Sequence, residues 1–229
     1  MPGWAKKRVW KTNPMRSSYE AVIIGGGLHG LATAYYLARY HGMPDVAVLE
    51  KRYIGYGGAG RNTAIVRANQ RTSDNVPLYK EALDLWPVLT RELDYNLMFN
   101  NCGNLTLLHS AAAVSAARLN VTTAQFYGVE SHLIDARQVK DLEPALNITP
   151  SITHPIQGAM YHPPGGVVRH DAMVWGLAKG ATRFGAHIHQ QVEARVSIST
   201  RARSWGFPPA KVTLKPPGCW SLRAGIRPK

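Results

Sequence analysis

The stretch "AVIIGGGLHGLATAYYLARYHGMPDVAVLE" constrains this chain more than any other. Gly25, Gly27 and Gly30 form G-x-G-x-x-G directly after a short apolar, β-branched run and directly before a helical pattern. Leu28, Leu31, Ala32, Tyr35, Tyr36 and Leu37 fall at helical spacings, and Gly42 and Pro44 stop the helix. Val46 to Leu49 then reads as a second strand buried on both faces. The result is a βαβ unit with parallel strands and a right-handed crossover. In such a unit the first glycine permits a tight turn, the second lets the backbone approach a pyrophosphate, and the third lets helix and strand pack closely. The helix start adds unpaired N–H groups and a positive dipole end.

Glu50 closes the second strand twenty residues after Gly30. A carboxylate there accepts hydrogen bonds from ribose hydroxyls and disfavours a phosphorylated ribose, which leaves FAD or NAD as the expected ligand. Further along, residues 79–97 read as an amphipathic helix interrupted near Pro87, and "GNLTLLHS" reads as a strand. Helices are expected over 110–127, 136–142 and 171–183, with strands at "QGAMYHPP" and "AHIHQQVEA". From Arg195 the chain holds several prolines, two tryptophans, no acid and no sustained period. That composition reads as a disordered basic tail, or as non-native sequence after a lost reading frame near Ala194.

The net charge of +13 suggests nucleic acid until it is located along the chain. Residues 1–18 carry five Lys/Arg and no acid, and residues 196–229 carry seven and no acid. The other 177 residues hold 15 basic against 14 acidic side chains, so the folded body is nearly neutral and no nucleic-acid partner is expected. Cys102 and Cys219 belong to no CxxC or Cys/His cluster, so neither a metal site nor a disulfide is expected. No long apolar run marks a membrane span or secretory signal. The expected location is the cytoplasm.

A second glycine-rich loop, "GGAGRNTAIVR", comes after the second strand. Glutathione-reductase-type and amino-acid-oxidase-type flavoproteins bring such a segment against the FAD pyrophosphate, which favours FAD over NAD. Gly58 and Arg61 are expected near the phosphates, and Asn62 and Thr63 nearer the ring; His29, inside the first turn, joins the candidate cofactor contacts. "GGGLHGLATAYYLA", "VAVLEKRYIG", "GRNTAIVRAN" and "GGVVRHDAMVWG" together resemble the FAD-dependent amine oxidases related to D-amino-acid oxidase, most closely the beta subunits of heterotetrameric sarcosine oxidases. The resemblance runs from about Trp10 to Glu193.

That resemblance implies an α/β fold: a Rossmann-like FAD-binding domain with part of an α+β substrate domain, the C-terminal half missing. On this reading residues 1–18 are a basic leader, 19–95 and 165–194 a discontinuous FAD-binding domain, 96–164 a partial substrate domain, and 195–229 a basic tail unlike the family. It also implies oxidative demethylation of sarcosine, or a similar N-methyl amino acid, to glycine, formaldehyde and hydrogen peroxide. Arg67 is the implied holder of the substrate carboxylate. An alpha subunit and further subunits are the implied partners. His170 has two readings: a polar residue at a helix start, or the covalent FMN anchor of the assembled enzyme, with Arg169 against the FMN phosphate. Two alternatives remain open at this point: a truncated, non-catalytic remnant that binds nucleotide or a partner subunit, and a single-subunit glycine or D-amino-acid oxidase.

Overall fold

The computed structural model describes residues 9–198, 210–215 and 220–223. Residues 1–8 of the basic leader and 199–209, 216–219 and 224–229 of the basic tail lie outside the described residues. In chain order the elements are β1 (Ala21–Ile24), α1 (Leu28–Tyr40), β2 (Val46–Glu50), β3 (Ile65–Val66), α2 (Val76–Leu93), β4 (Asn104–Leu108), α3 (Ala111–Phe126), β5 (His132–Asp135), α4 (Ala136–Leu142) and β6 (Gly158–His162). Then come β7 (Gly166–Val167), α5 (His170–Arg183), β8 (His187–Gln190), β9 (Glu193–Ile198), β10 (Ala210–Lys215) and β11 (Trp220–Arg223). They divide into two compact units, one of residues 1–63, 90–97 and 170–229, the other of 64–89 and 98–169. The sequence reading grouped 64–89 with the nucleotide-binding part; in the structure Ala68, Val76 and Leu83 share a core with Ala124 and Val129.

The first unit is built on a parallel sheet of order β1-β2-β8. Its middle strand is apolar from Val46 to Leu49, and all four side chains are at most 2% exposed. This is what a strand flanked by neighbours and covered on both faces requires. Helix α1 buries Leu31, Ala34, Tyr35 and Ala38, the i, i+3, i+4, i+7 stripe of an amphipathic helix. Helix α5 is buried on more than one side, from Ala172 through Thr182. The single strand expected at "AHIHQQVEA" is in fact two. Gln191 adopts φ 60 and donates its N–H to Arg52 O at 2.8 Å, so the extended run breaks between β8 and β9. Strands β9, β10 and β11 pair antiparallel, where a disordered tail was expected. The signal was present in Val212 and Leu214 alternating with Lys211, Thr213 and Lys215, but basic residues and prolines masked it.

The same unit holds a buried polar cluster that the sequence does not announce. Tyr19 Oη accepts the Arg16 N–H at 3.0 Å and lies 3.0 Å from His187 Nδ1 and 2.9 Å from His189 Nε2. A hydroxyl has one proton and two lone pairs, so one ring nitrogen accepts from Oη and the other donates to it. Burial lowers the proton affinity of both rings, so both are neutral near pH 7. Burial, and then the neighbouring His187, push His189 down to about 4. In the unfolded chain the same histidine takes up its proton near the ordinary value of about 6.5. Stability is therefore complete above that value, falls as the pH drops from about 6.5 to 4, and is flat below for this group. The expected loss is roughly 3 kcal/mol. Urea unfolding of the wild type and His189→Gln at pH 7 and pH 4.5 checks it: equal pH slopes for the two proteins would show that His189 contributes nothing.

The second unit carries an antiparallel sheet of order β4-β6-β5 and a two-stranded pair, β3 and β7. Strand β5 was not foreseen, since Leu133 and Ile134 are its only apolar residues. Helix α4 begins with a capping box: Asp135 Oδ1 accepts the Gln138 N–H at 2.8 Å, and Gln138 Oε1 accepts the Asp135 N–H at 3.0 Å. The interruption expected in α2 is absent. The helix continues through Pro87 because Val76, Leu83, Leu89 and Leu93 are all buried, which outweighs the one backbone bond that proline removes. It stops at Leu93 rather than Leu97. Asp94 turns left-handed at φ 48, with Asp94 N–H to Arg91 O at 3.2 Å and Tyr95 N–H to Thr90 O at 3.1 Å, the double bond pattern of a Schellman end. Among the described residues no helix is long and apolar enough to cross a membrane.

Candidate functional site

The first glycine turn is built as its spacing predicts. Gly25 sits at φ +108 and donates to Leu49 O at 2.8 Å, a conformation L side chains rarely adopt. Gly27 is the extended N-cap of α1, which has no side-chain cap and no acid in its first turn. A Cβ added to Gly27 would meet nothing nearer than Ala59 Cβ at 3.9 Å. The helix start is therefore open to an anion. Gly30 is required for a different reason: a Cβ there would lie 2.0 Å from Gly25 O.

Glu50 ties this turn to the second glycine loop. Its Oε2 accepts the Gly26 N–H at 2.9 Å and its Oε1 accepts the Arg52 N–H at 2.8 Å. Each oxygen keeps a second lone pair for a further donor. Gly26 in turn accepts, through its carbonyl, the Gly55 N–H at 2.9 Å, so the two glycine segments are pinned together. The second loop makes a short 3-10 turn at Gly58–Gly60. Around a Cβ added at Gly57 or Gly58 there is nothing within 4 Å. Asn62 closes the loop, its Nδ2 donating to Gly58 O at 3.0 Å and Ala59 O at 3.1 Å. The Arg61 guanidinium lies 4.4 Å from the Tyr56 ring centroid and that of Arg52 4.6 Å from it, cation–π distances that hold both over one ring. His170 Nε2 is 2.8 Å from Asn62 O. A carbonyl only accepts, so the proton is on Nε2 and Nδ1 carries the lone pair of the neutral ring.

Residues 20–215 match the FAD dependent oxidoreductase family, DAO. The chain belongs to this family. It is 40% identical over 185 residues to the sarcosine oxidase subunit beta of an Arthrobacter species, covering 81% of this chain and 46% of that protein. It is also 40% identical over 190 residues to the sarcosine oxidase subunit beta of Rhizobium meliloti strain 1021, covering 83% and 45%. The L-proline dehydrogenase from P. horikoshii superposes with a TM-score of 0.77 at 26% identity, over 91% of this chain and 52% of that one. The chain thus spans about half the length of the relatives it matches. The α/β fold class read from the sequence holds for this FAD dependent oxidoreductase. The family match extends over residues 20–215.

The residues present fit a flavin dinucleotide. Gly26 bonds both Glu50, a carboxylate with free lone pairs, and Gly55, which brings the second loop with its open Gly57 and Gly58 next to the uncapped start of α1. Just past Glu50, a cavity of about 310 Å³ is lined by Thr12, Asn13, Arg52, Tyr53 and Gln190–Val192. Gln190 Oε1 accepts the Ile54 N–H at 2.9 Å and so fixes the rim of that cavity. Of the residues singled out from sequence, Gly25, Gly27, Gly30, Glu50, Gly58, Arg61, Asn62, Thr63 and His170 all fall in the first unit. Thr63 is exposed there. His29 is exposed on α1 and lines a separate hollow with Ala32, Tyr36 and His41. Arg67 and Arg169 belong to the second unit. Arg67 is half-buried, forms no ion pair with any described residue, and reaches only Asn69 O, at 3.4 Å. Sequence reasoning missed Gly26, Tyr56 and Gln190. Gly26 could have been read from the triple glycine, whereas Tyr56 and Gln190 act through contacts that no spacing encodes.

Proposed function

We propose that this chain is the FAD-binding part of a flavin-dependent amine oxidoreductase subunit that demethylates sarcosine oxidatively to glycine, formaldehyde and hydrogen peroxide. The observation that carries the reading is the linked glycine cradle ending on Glu50, in a chain 40% identical to two sarcosine oxidase beta subunits. The pyrophosphate would lie at the start of α1 and the ribose hydroxyls on Glu50. The base, next along the molecule, would enter the cavity beside Arg52 and Tyr53. FAD supplies the hydride acceptor, and the protein supplies placement. Arg67 would hold the substrate carboxylate, since a planar guanidinium makes two parallel charge-assisted hydrogen bonds and so orients the reacting N-methyl carbon. His170 would carry FMN covalently in an assembly with an alpha subunit, with Arg169 against its phosphate. If His170 carries FMN, the attachment atom would be a ring nitrogen that bears a lone pair, and the bond from Nε2 to Asn62 O supports Nδ1 in that role.

Two measurements test the reading. The purified chain is expected to bind FAD in a fluorescence titration and to emerge yellow from desalting; a folded but colourless protein that takes up no FAD overturns the cofactor assignment. Co-expression of a subunit extended to the relatives' length with its alpha subunit, then acid precipitation and peptide mass spectrometry, is expected to find FMN on the peptide containing His170. An unmodified His170 peptide in a preparation that turns over sarcosine refutes the anchor.

A further inference from the structure

His162 on β6 has no exposed surface and takes no part in the reading above. Its Nδ1 lies 2.5 Å from Glu130 O and its Nε2 lies 3.2 Å from the backbone N of Ala68. The carbonyl can only accept and the amide can only donate. The ring must therefore be neutral, with its proton on Nδ1 and a lone pair at Nε2. Burial lowers its proton affinity and the Arg67 charge adds to that, against the opposing pull of Glu130.

The bond matters because Ala68 is the residue next to Arg67, in a segment whose backbone has just left the β3 ladder. Strand β3 ends at Val66, and residues 67–70 have no ladder. Locally they are held by Gln70 N–H to Ala68 O at 2.8 Å and by Gln70 Nε2 to Arg67 O at 3.2 Å. Both of those bonds lie inside the segment and would move with it. The bond from Ala68 to His162 instead ties it to the β4-β6-β5 sheet. Asn104 pairs with His162 across that sheet, and the β5 register, carried one residue back from His132 opposite Tyr161, puts Ser131 on its other side. Asn104 Oδ1, Ser131 Oγ and both amide atoms of Asn69 are buried without a protein hydrogen-bond partner. The unpartnered Asn69 makes this stretch costly to hold down, and beside the packing of Ala68 in its core the bond to His162 ties the stretch to the sheet.

We propose that His162 is the positioning residue for Arg67: by fixing Ala68 it sets the direction from which the guanidinium meets a carboxylate. The proposal rests on the reading of Arg67 as the substrate's carboxylate partner. His162→Leu removes both ring bonds, whereas His162→Gln keeps an oxygen that can accept from Ala68. In this chain, amide hydrogen exchange at Ala68 is expected to speed up about tenfold or more in His162→Leu, the loss of one hydrogen bond. Gln is expected to restore most of the protection, and Val167, bonded to Asn100 O at 3.0 Å, to change little. Unchanged exchange at Ala68, or equal acceleration at Val167, overturns the clamp. So does a wild-type nitrogen NMR spectrum with the His162 proton on Nε2, a measurement that needs no variant. In the extended, assembled enzyme, His162→Leu is expected to raise KM for sarcosine about tenfold with kcat nearly unchanged, and Gln to recover it. An unchanged KM beside a loosened Ala68 overturns the positioning role. A wild-type assembly that binds no sarcosine, with the Ala68 results intact, refutes the substrate reading and not the clamp.

Discussion

Gly30→Ala is expected to leave the protein without measurable FAD binding and to lower its stability by about 3 kcal/mol or more, the upper end for an overpacked site. The added Cβ would stand 2.0 Å from Gly25 O, 3.2 Å from Gly25 C and 3.3 Å from Ile23 Cγ2. The first two are backbone atoms. Gly25 cannot retreat without breaking its bond to Leu49 O and leaving the φ +108 conformation that makes the turn. Either α1 tilts away from β1 or the turn opens, and both misplace the amides that would meet the pyrophosphate. Gly58→Ala is the matched control for stability alone, because a Cβ there meets no protein atom within 4 Å but would enter the space of the proposed cofactor cradle. Urea midpoints of the two variants and FAD titration of Gly30→Ala decide the matter. A Gly30→Ala protein with wild-type midpoint and affinity would falsify the close-packing role of that glycine.

The nucleotide end of this site was legible because its information is local. Within thirty residues the chain spells a buried strand, a turn that only glycine permits, a helix with its stripe at Leu31, Ala34, Tyr35 and Ala38, and an acid at the next strand's end. Each piece needs only its neighbours to be understood. Where the sequence misled, the deciding contact was distant. Pro87 argues locally for a break in α2, but buried leucines on both sides of it keep the helix running. Gln191 looks like any strand residue, and only its bond to Arg52 shows why the strand breaks there. His162 is harder still, since its partners at Ala68 and Glu130 are backbone groups that no side-chain motif announces. Tyr19, His187 and His189 meet across a sheet whose pairing must be known before their sharing of a proton can be seen.

Glu50 gives the second large effect, and the sharper one, because glutamine does not rescue it. Both carboxylate oxygens accept backbone N–H groups, from Gly26 at 2.9 Å and Arg52 at 2.8 Å. An amide in place of the carboxylate must turn its NH₂ toward one of those two donors, whichever way it is flipped. Glu50→Gln therefore breaks one clip and also halves the lone pairs left for ribose hydroxyls. Glu50→Ala removes everything. In Glu50→Ala the FAD affinity is expected to fall by roughly 1.5–3 kcal/mol for each charge-assisted hydrogen bond lost. That is about tenfold to a hundredfold per bond in the dissociation constant. Glu50→Gln is expected to fall most of the way with it. Fluorescence titration with FAD, at a urea concentration of zero where both variants remain folded by circular dichroism, reads the affinities, and urea midpoints read the clips separately. If the midpoints drop while FAD binds as in the wild type, Glu50 is a clip for the glycine turn and not a ribose ligand. If Gln binds FAD as the wild type does, the negative charge of Glu50 is not what holds the ribose hydroxyls, whatever the midpoints show for the two clips. Loss of affinity beyond the loss of stability, in both variants, is the result that assigns the carboxylate to the cofactor.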